Sequence, residues 1–254
     1  MTTGGFHLLS GLFFASFIRN EKYRKVKWGI VFGSIIPDID LIFSMILYLT
    51  GADISQSAYI HRTFTHGFLT IGLVVVLGFI ISRLWKDHEW IFMVSLGIAF
   101  GMLTHVLYDL LDGEVAIFAP FTFNRFSLTS EFYREGATSL YESIFDTSLM
   151  SVWTAFDCMS DVIAYLLLWY WATYKGTVEK EKKFAKVLLI VSIISIPYYL
   201  ILMILAFTPL DPDIHFIICY AYWCIIHCPL SCVLIFIFMR ETIQDFSFLD
   251  IRKS

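Results

Sequence analysis

The chain has 254 residues, of which 58% are hydrophobic and 16% are charged, and its mean hydropathy is +0.72. Soluble domains of ordinary composition have about a quarter of their residues charged. The composition therefore excludes a typical soluble protein and predicts an integral membrane protein. The formal net charge is −4, and no basic patch suggests nucleic acid as a partner.

Seven hydrophobic segments follow one another along the chain. Residues 6–18 form a short apolar run that is marginal as a complete span, and they lack the charged start of a cleaved signal peptide. Residues 28–49 are long enough but are interrupted by Pro37-Asp38-Ile39-Asp40. A helix needs about 20 apolar residues to cross a bilayer core, and five later segments qualify, namely 67–85, 90–111, 152–174, 184–207 and 216–239. The predicted fold class is all-α, a polytopic integral membrane helical bundle.

These segments divide the chain into three predicted parts. Residues 1–123 form the half of the bundle that carries a candidate metal site, and residues 152–254 form a C-terminal half of three membrane helices. The connection between them, residues 124–151, is mixed polar and aromatic and is predicted to lie at the extracytoplasmic interface. We expect short interfacial helices in the wider stretch from 112 to 151.

The placement of lysine and arginine predicts the orientation of the bundle. If the N-terminus is extracytoplasmic and every segment crosses, the inside loops are residues 19–27, 83–89, 175–186 and 240–254. These loops hold 15 of the 18 basic residues, and only Arg62, Arg125 and Arg134 fall outside. Cytoplasmic loops are enriched in basic residues, so the N-terminus is predicted to be extracytoplasmic.

Seven ionisable residues lie at the outer ends of four separate segments in this topology. They are His7, Asp38, Asp40, His61, His66, His105 and Asp109. Ionisable groups inside membrane segments cost roughly 2.5–3.5 kcal/mol each on insertion scales and are usually functional. Because composition alone does not place them all on one side, we expect them to form one site.

The types and spacing of these residues suit a divalent metal ion. His105 and Asp109 are four residues apart, so an imidazole and a carboxylate share one helix face. The Asp-Ile-Asp element at 38–40 places two carboxylates where proline breaks a helix, which a membrane tolerates only beside protein or a water-filled cavity. The histidines of "HRTFTH", residues 61–66, need a turn between them to converge. Three carboxylates and four imidazoles would hold one or two ions, with zinc preferred and manganese as the alternative.

Structural roles are the alternative for each of these residues. His7 on an apolar helix would be a hydrogen-bonded core residue, His105 and Asp109 a structural pair, and the two aspartates of 38–40 a helix end in water. Elsewhere, His227 faces the middle of the membrane without an acidic neighbour and is interpreted as a packed histidine. Asp157 and Asp161 would either line a cavity or be solvated at a helix end.

Four ordered motifs carry a resemblance to a known family. His7 is followed by "GSIIPDID", then "HRTFTHG", then "GMLTHVLYDLLDGEVAIFAPF". This order resembles the YdjM/YbcI-type family of membrane-bound metal-dependent hydrolases over about residues 1–123. Its members carry an early His, a Gly-x-x-x-Pro-Asp-x-Asp element, a His-Arg-Gly-x-Thr-His element, and a His-x-x-x-Asp helix followed by Gly and Pro. Thr63 departs from the pattern, because the family usually has glycine there.

The resemblance implies a function. The family is similar in motif logic to zinc-dependent phospholipases C, which implies hydrolysis of a phosphoester. The hypothesis is a hydrolase of the cell (inner) membrane whose active site faces the extracytoplasmic side and cleaves a phospholipid or lipid-linked substrate. A water activated by the metal would be the nucleophile, with its pKa lowered to about 7. The predicted catalytic residues are Asp38, Arg62 and Asp109, with a spare aspartate as general base and Arg62 either binding a phosphate oxygen or anchoring the interface.

Two other functions use the same residues. A cation or proton transporter would pass its cargo between the acidic and imidazole groups. That function needs polar residues that continue to the inside face, whereas the inner halves of most segments are apolar. A non-catalytic metal-binding membrane protein would instead have a closed coordination shell.

Overall fold

The computed structural model describes residues 4–52, 60–85, 88–112, 114–128, 148–205 and 222–248. These residues are helical, joined by turns, apart from an isolated β-bridge between Val115 and Phe126. The α-helices are α1 (Gly4–Ala15), α2 (Arg24–Gly33), α3 (Asp40–Leu49), α4 (Phe68–Leu84), α5 (Glu89–Asp112), α6 (Ser148–Tyr174), α7 (Glu179–Leu205), α8 (Ile235–Phe238) and α9 (Arg240–Asp245). Two π-helical segments, Trp223–His227 and Leu230–Leu234, precede α8. The all-α class is confirmed for these residues.

Two described helices are long and apolar enough to cross a membrane, Glu89–Leu111 and Glu179–Leu202. A third span is formed if the bent pair Glu21–Gly33 and Ile36–Leu49, which meet at 45°, is counted as one. Gly4–Ala15, Phe68–Leu84 and Ile225–Phe238 are apolar but shorter. The described helices therefore agree with a membrane protein, while the count of about seven segments and the direction of the N-terminus stay predictions.

The bend between α2 and α3 is where the sequence places its proline. A 3-10 turn, Ile36–Ile39, joins the two helices, and Pro37 lies in its first positions. Proline has no N–H and fixes its own φ, so it suits the start of a helical turn and disfavours continuation of the preceding helix. The break places Asp38 within the turn and Asp40 at the start of α3.

Glycines allow α2 and α5 to approach closely. A Cβ added at Gly33 would overlap the carbonyl oxygen of Ile98, and one added at Gly101 would overlap that of Ile30. Small residues at such contacts let helix backbones come together in membrane proteins. The consequence for function is that the end of α2, at Ser34, lies against the part of α5 that carries His105.

Helix α1 lies between the two halves of the bundle, because it packs on α2 and also on α6. Leu8 and Leu12 of α1 are fully buried in a core with Tyr165 and Leu168 of α6. A Cβ added at Gly5 would overlap the backbone of Asp161, so α1 and α6 are in direct backbone contact. His7, two residues further on, is thereby held against the centre of the molecule.

The connection after α5 is extended in its described part. Residues 114–128 contain the bridge of Val115 with Phe126 and a turn at 117–121, and no helix is present between 114 and 128. The short helices expected in this connection are thus not found in that stretch, and residues 129–147 lie outside the described residues. The stretch packs on the "HRTFTH" segment, since Ala116 N–H donates to the carbonyl of Arg62 at 3.0 Å.

Candidate metal centre

The structure brings all seven candidate ligands together in the interior. Each is at most 6% exposed. Ligand atoms of six of them form two groups, and within each group all atoms lie within 4.8 Å of one another. The first group is His7, Asp38, His105 and Asp109, and the second is Asp38, His61 and His66. Asp38 belongs to both groups, so the two sets of ligands are adjacent.

His105 is oriented by the backbone of the broken helix. Its Nδ1 lies 2.7 Å from the carbonyl oxygen of Ser34, and a carbonyl can only accept, so Nδ1 carries the proton. Nε2 then presents its lone pair to the interior, 3.3 Å from Asp38 Oδ1 and 3.3 Å from Asp109 Oδ2. A hydrogen bond at the far nitrogen is the usual way in which a metal-binding histidine is fixed.

Asp40 orients the other two histidines. Its Oδ1 accepts a hydrogen bond from His61 Nδ1 at 2.8 Å, and its Oδ2 accepts one from the Thr65 hydroxyl at 2.6 Å. Because Thr65 gives its only proton to Asp40, its oxygen accepts from His66 Nδ1, which lies 2.9 Å away. Both histidines therefore keep Nε2 for the interior. Asp40 itself belongs to neither group of ligand atoms, although the sequence places it among the ligands.

His66 shows how strongly the site attracts positive charge. Its Nε2 lies 3.1 Å from Asp109 Oδ2 and 3.1 Å from His105 Nε2. Burial lowers the pKa of His66, but the nearby carboxylates of Asp109, Asp38 and Asp40 raise it more, so the pKa lies well above its usual value. The carboxylates thus present a negative field that a proton or a metal ion neutralises.

Two of the ligands have polar atoms without hydrogen-bond partners among the described residues. They are both ring nitrogens of His7 and Oδ2 of Asp38. The His7 ring is stacked on His105 with centroids 3.6 Å apart, and its Nε2 lies 3.6 Å from Asp109 Oδ1. Buried polar atoms are normally hydrogen-bonded, so free lone pairs in a group of imidazoles and carboxylates fit a divalent cation such as zinc or manganese.

Arg62 lies inside the site and not at its rim. It is 6% exposed, and its Nη2 donates to Asp109 Oδ1 at 2.9 Å. The alternative role as an interfacial anchor is disfavoured, because an anchoring arginine keeps its guanidinium in the polar headgroup region.

Arg62 also has a φ of 64°, in the left-handed region. The next residue, Thr63, has a φ of −113°, so no glycine is needed where the family usually has one.

A second polar cluster, formed by Asp161, Tyr165, Ser195, His227 and Ser231, lies buried in the C-terminal half. His227 Nε2 is 3.0 Å from Ser195 Oγ, and its Nδ1 is 3.7 Å from Asp161 Oδ2. The Tyr165 hydroxyl is 2.6 Å from Ser231 Oγ. His227 is fully buried, which confirms a packed histidine, but the expectation that it has no acidic neighbour is wrong. Solvation is also wrong for Asp161, which is fully buried.

The sequence carries no local signal for this second cluster, because its members come from α6, α7 and the π-helical segments. Only the packing of these elements brings them together. The alternatives for Asp157 concern a side chain that lies outside the described residues.

A comparison with protein families assigns the chain. A family model described as YdjM inner membrane protein matches residues 1–202. The chain belongs to this family. The match confirms the resemblance carried by the four motifs, and it extends the YdjM family region past residue 123 through α6 and most of α7. No curated protein and no solved structure matches the chain.

The YdjM assignment and the apolar helices together identify a membrane protein with a buried histidine and aspartate cluster that is compatible with metal binding. All seven predicted ligands lie in or directly beside that cluster. Their roles as ligands are taken up below as part of the proposal.

Proposed function

We propose that this YdjM-family protein is a membrane-bound metal-dependent hydrolase that cleaves a phosphoester in a lipid or lipid-linked substrate. The observation that carries the proposal is the pair of ligand groups that share Asp38. Sites with two metal ions a few ångströms apart are common in enzymes that cleave phosphoesters. A carboxylate shared between two sets of imidazoles is the arrangement that such a site needs.

The residues divide naturally between two ions. His7, His105 and Asp109 would hold one, His61 and His66 the other, and Asp38 would contact both. Zinc is the preferred ion and manganese the second choice, because both accept imidazole and carboxylate ligands. When bound, such ions polarise a phosphoryl oxygen and lower the pKa of water so that it attacks at neutral pH.

The protein's own groups orient the ligands and handle charge and protons. The Ser34 carbonyl and the Asp40 carboxylate fix the imidazoles with Nε2 facing inward. Arg62, which lies 2.9 Å from Asp109, is placed to donate to a phosphate oxygen and to balance its developing negative charge. Asp109, in contact with both Arg62 and the imidazoles, is also the proposed general base: one of its oxygens would hold the ion and the other would take the proton of the attacking water.

The surroundings support a substrate at the membrane surface. The loop after α5 carries exposed aromatic side chains, among them Phe118, Phe121 and Phe123, and Phe121 is 81% exposed. The same loop is hydrogen-bonded to the "HRTFTH" segment through Ala116 and Arg62. Aromatic side chains are enriched at the membrane–water interface. A phosphate in a lipid headgroup at that depth is therefore the proposed target, and the distribution of basic residues supports the extracytoplasmic side.

A cation or proton transporter is the second candidate, because the Asp161–His227 cluster adds ionisable groups to the interior. On the inner side of that cluster, however, α7 presents the fully buried apolar residues Ala185 and Leu188. Among the described residues, the buried positions of this helix between Glu181 and Ser192 are all apolar, so the polar path is interrupted there. This favours hydrolysis over transport.

The test is metal analysis of the purified protein together with a screen of phosphodiester and phospholipid substrates. We expect stoichiometric zinc or manganese and metal-dependent release of a phosphorylated product. His105→Ala and Asp109→Ala should each lose metal and activity. His88→Ala, which changes an exposed histidine at the start of α5, is the matched control and should lose neither.

Retention of the full metal content in both site variants would disprove the metal centre. Metal-dependent ion flux in proteoliposomes, without any hydrolysis, would instead establish the transporter.

A further inference from the structure

The candidate metal centre is closed to a ligand as large as a phospholipid headgroup, because each of its seven candidate ligands is at most 6% exposed. Helices α1, α2 and α5, which enclose it, are packed through direct backbone contacts. A Cβ added at Gly33 would overlap the carbonyl oxygen of Ile98 on α5, and one added at Gly5 would overlap the backbone of Asp161 on α6. Helices in such close contact do not separate to admit a ligand, so access requires movement of a different wall.

The loop of residues 114–128 covers the "HRTFTH" segment, which carries two of the candidate ligands. The N–H of Ala116 donates to the carbonyl oxygen of Arg62 at 3.0 Å. The N–H of Phe68, at the start of α4, donates to the carbonyl oxygen of Ile117 at 2.9 Å. The loop thus contacts the chain both before and after His66, and it forms a wall of the centre that is held by hydrogen bonds and not by helix packing.

This loop has a fixed base and an exposed tip. Val115 is fully buried in a cluster with Leu110 of α5. Val115 and Phe126 exchange two backbone hydrogen bonds of 2.9 Å, which hold the two ends of the loop together. The tip between them, residues 117–123, carries Phe121, which is 81% exposed. The tip can therefore pivot about its base without loss of the base itself.

Exposed phenylalanines surround the tip. Phe118 of the tip lies edge-on to Phe68 of α4, with ring centroids 5.9 Å apart. Phe123 lies edge-on to Phe64 of the "HRTFTH" segment, with centroids 5.6 Å apart. We call this surface the phenylalanine collar, and its members, which are 40–81% exposed, are Phe64, Phe68, Phe118, Phe121, Phe123 and Phe126.

The phenylalanine collar is continuous with the lipid-facing surface of the protein. It shares Phe68 with α4, an apolar helix whose next turns expose Leu69 and Leu73. The chain belongs to a family of inner membrane proteins, so hydrocarbon chains of the bilayer cover such an apolar helix face. The same hydrocarbon is thereby placed beside the tip of the loop.

We propose that residues 114–128 form a lid on the metal centre and that the phenylalanine collar docks the tip of this lid into the adjoining leaflet of the bilayer. Transfer of exposed phenylalanine side chains into hydrocarbon is favourable, and it draws the tip away from α4. A lipid then enters laterally from the leaflet, between the tip and the start of α4. The identity of this ligand rests on the proposed hydrolysis of a lipid phosphoester, whereas the movement of the lid does not depend on that chemistry.

The test is hydrogen–deuterium exchange of the full-length protein in nanodiscs of equal parts phosphatidylglycerol and phosphatidylcholine, with mass spectrometric fragmentation that resolves single amides. The amide of Phe68 exchanges when the tip leaves α4, because its acceptor is Ile117. Phe121→Ser should slow this exchange about tenfold. That change corresponds to about 1.4 kcal/mol, close to the lower end of what burial of a phenylalanine side chain contributes.

Two controls accompany this measurement. Phe17→Ser removes a phenylalanine that is 60% exposed beyond the other end of α1, and it should leave the exchange of the Phe68 amide unchanged. The amide of Phe126 donates to Val115 within the base, so its exchange should be the same in the wild-type protein and in Phe121→Ser. Phe121 is a surface position, and thermal unfolding in detergent checks that its variant is folded.

Hydrolysis separates a lid from a surface that only binds the lipid tail. A closed lid keeps every substrate from the centre, so Phe121→Ser should lower kcat/KM about tenfold for a phospholipid and equally for the water-soluble bis(p-nitrophenyl) phosphate. Phe17→Ser should change neither value. A loss confined to the phospholipid would overturn the lid and show a binding surface for the lipid tail.

The exchange experiment decides the lid independently of the proposed function. Equal exchange of the Phe68 amide in the wild-type protein and in Phe121→Ser would overturn the lid, even if the protein hydrolyses phosphoesters. An equal change at the Phe126 amide would also overturn it, because the whole loop and not its tip would then be opening. Slower exchange at Phe68 alone, in a protein that hydrolyses no phosphoester, would support the lid and refute only the proposed function.

Discussion

Asp40→Asn separates a residue that orients ligands from a residue that binds the metal. The Asp40 carboxylate accepts a hydrogen bond from His61 Nδ1 at 2.8 Å through one oxygen and from Thr65 at 2.6 Å through the other. An asparagine keeps only one acceptor oxygen, so its amide N–H₂ must face a donor on one side. One imidazole then loses its orientation. Loss of such outer contacts typically weakens metal binding about 10- to 100-fold, which corresponds to about 1.4–2.7 kcal/mol.

The assay is titration of metal-free protein with zinc in competition with a chromophoric chelator, which reports stoichiometry and affinity separately. We expect Asp40→Asn to keep the stoichiometry of the wild-type protein and to lose affinity. Asp245→Asn, which breaks the Arg24 ion pair at the other end of the bundle, is the control and should change neither quantity. Loss of a whole equivalent of zinc in Asp40→Asn would show that Asp40 is a ligand and would refute the orienting role.

Three further outcomes follow from the structure. Arg62→Lys should lower kcat on the order of 100-fold while the bound metal is unchanged, because an ammonium group cannot replace the two-pronged guanidinium at a phosphate. An unchanged kcat in the substrate assay would remove Arg62 from the mechanism. Gly33→Ala should destabilise the protein by about 1–3 kcal/mol, since the added Cβ meets the carbonyl oxygen of Ile98. Gly72→Ala, whose Cβ meets nothing within 4 Å, should be neutral or stabilising in the same thermal unfolding assay. Metal removal by a chelator should lower the unfolding temperature. The loss in the free energy of unfolding is about 4 kcal/mol if the free metal had been at 1,000 times its Kd. An unchanged unfolding temperature would contradict stabilisation of the fold by a bound metal.

The sequence is sufficient to predict that the candidate ligands lie close together, because their signals are local. His105 and Asp109 share a helix face through their spacing, and the helix break at 37–40 follows from proline. Charge placement then predicts that the separate motifs lie on one side of the membrane. These arguments need no knowledge of which helix packs on which, and they are sufficient to expect a single cluster.

The roles within the cluster depend on packing and are not predictable in the same way. Asp38 and Asp40 are two residues apart and identical in type, yet Asp38 faces both ligand groups and Asp40 faces the outer nitrogens of two histidines. The Ser34 carbonyl that orients His105 lies 71 residues away in sequence. It reaches the imidazole because Gly33 and Gly101 remove the side chains that would hold α2 and α5 apart. The contact of Asp161 with His227 also cannot be predicted from the sequence, because it depends on how α6 packs on the π-helical segments.

The described residues of the C-terminal half contribute no atom to either candidate ligand group, yet they support the broken helix that carries Asp38. A break in a membrane helix leaves carbonyl oxygens with free acceptor capacity, and the protein must supply donors where water is excluded. The Cys228 thiol lies 3.5 Å from the carbonyl oxygen of Asp38, and the Cys232 thiol lies 3.4 Å from that of Ile35. Both cysteines are buried, and neither forms a disulfide. The two cysteines are four residues apart, so their thiols are two weak donors on one helix face that contact the Ile35–Asp38 turn. Through Asp38 they support the carboxylate that both candidate ligand groups share.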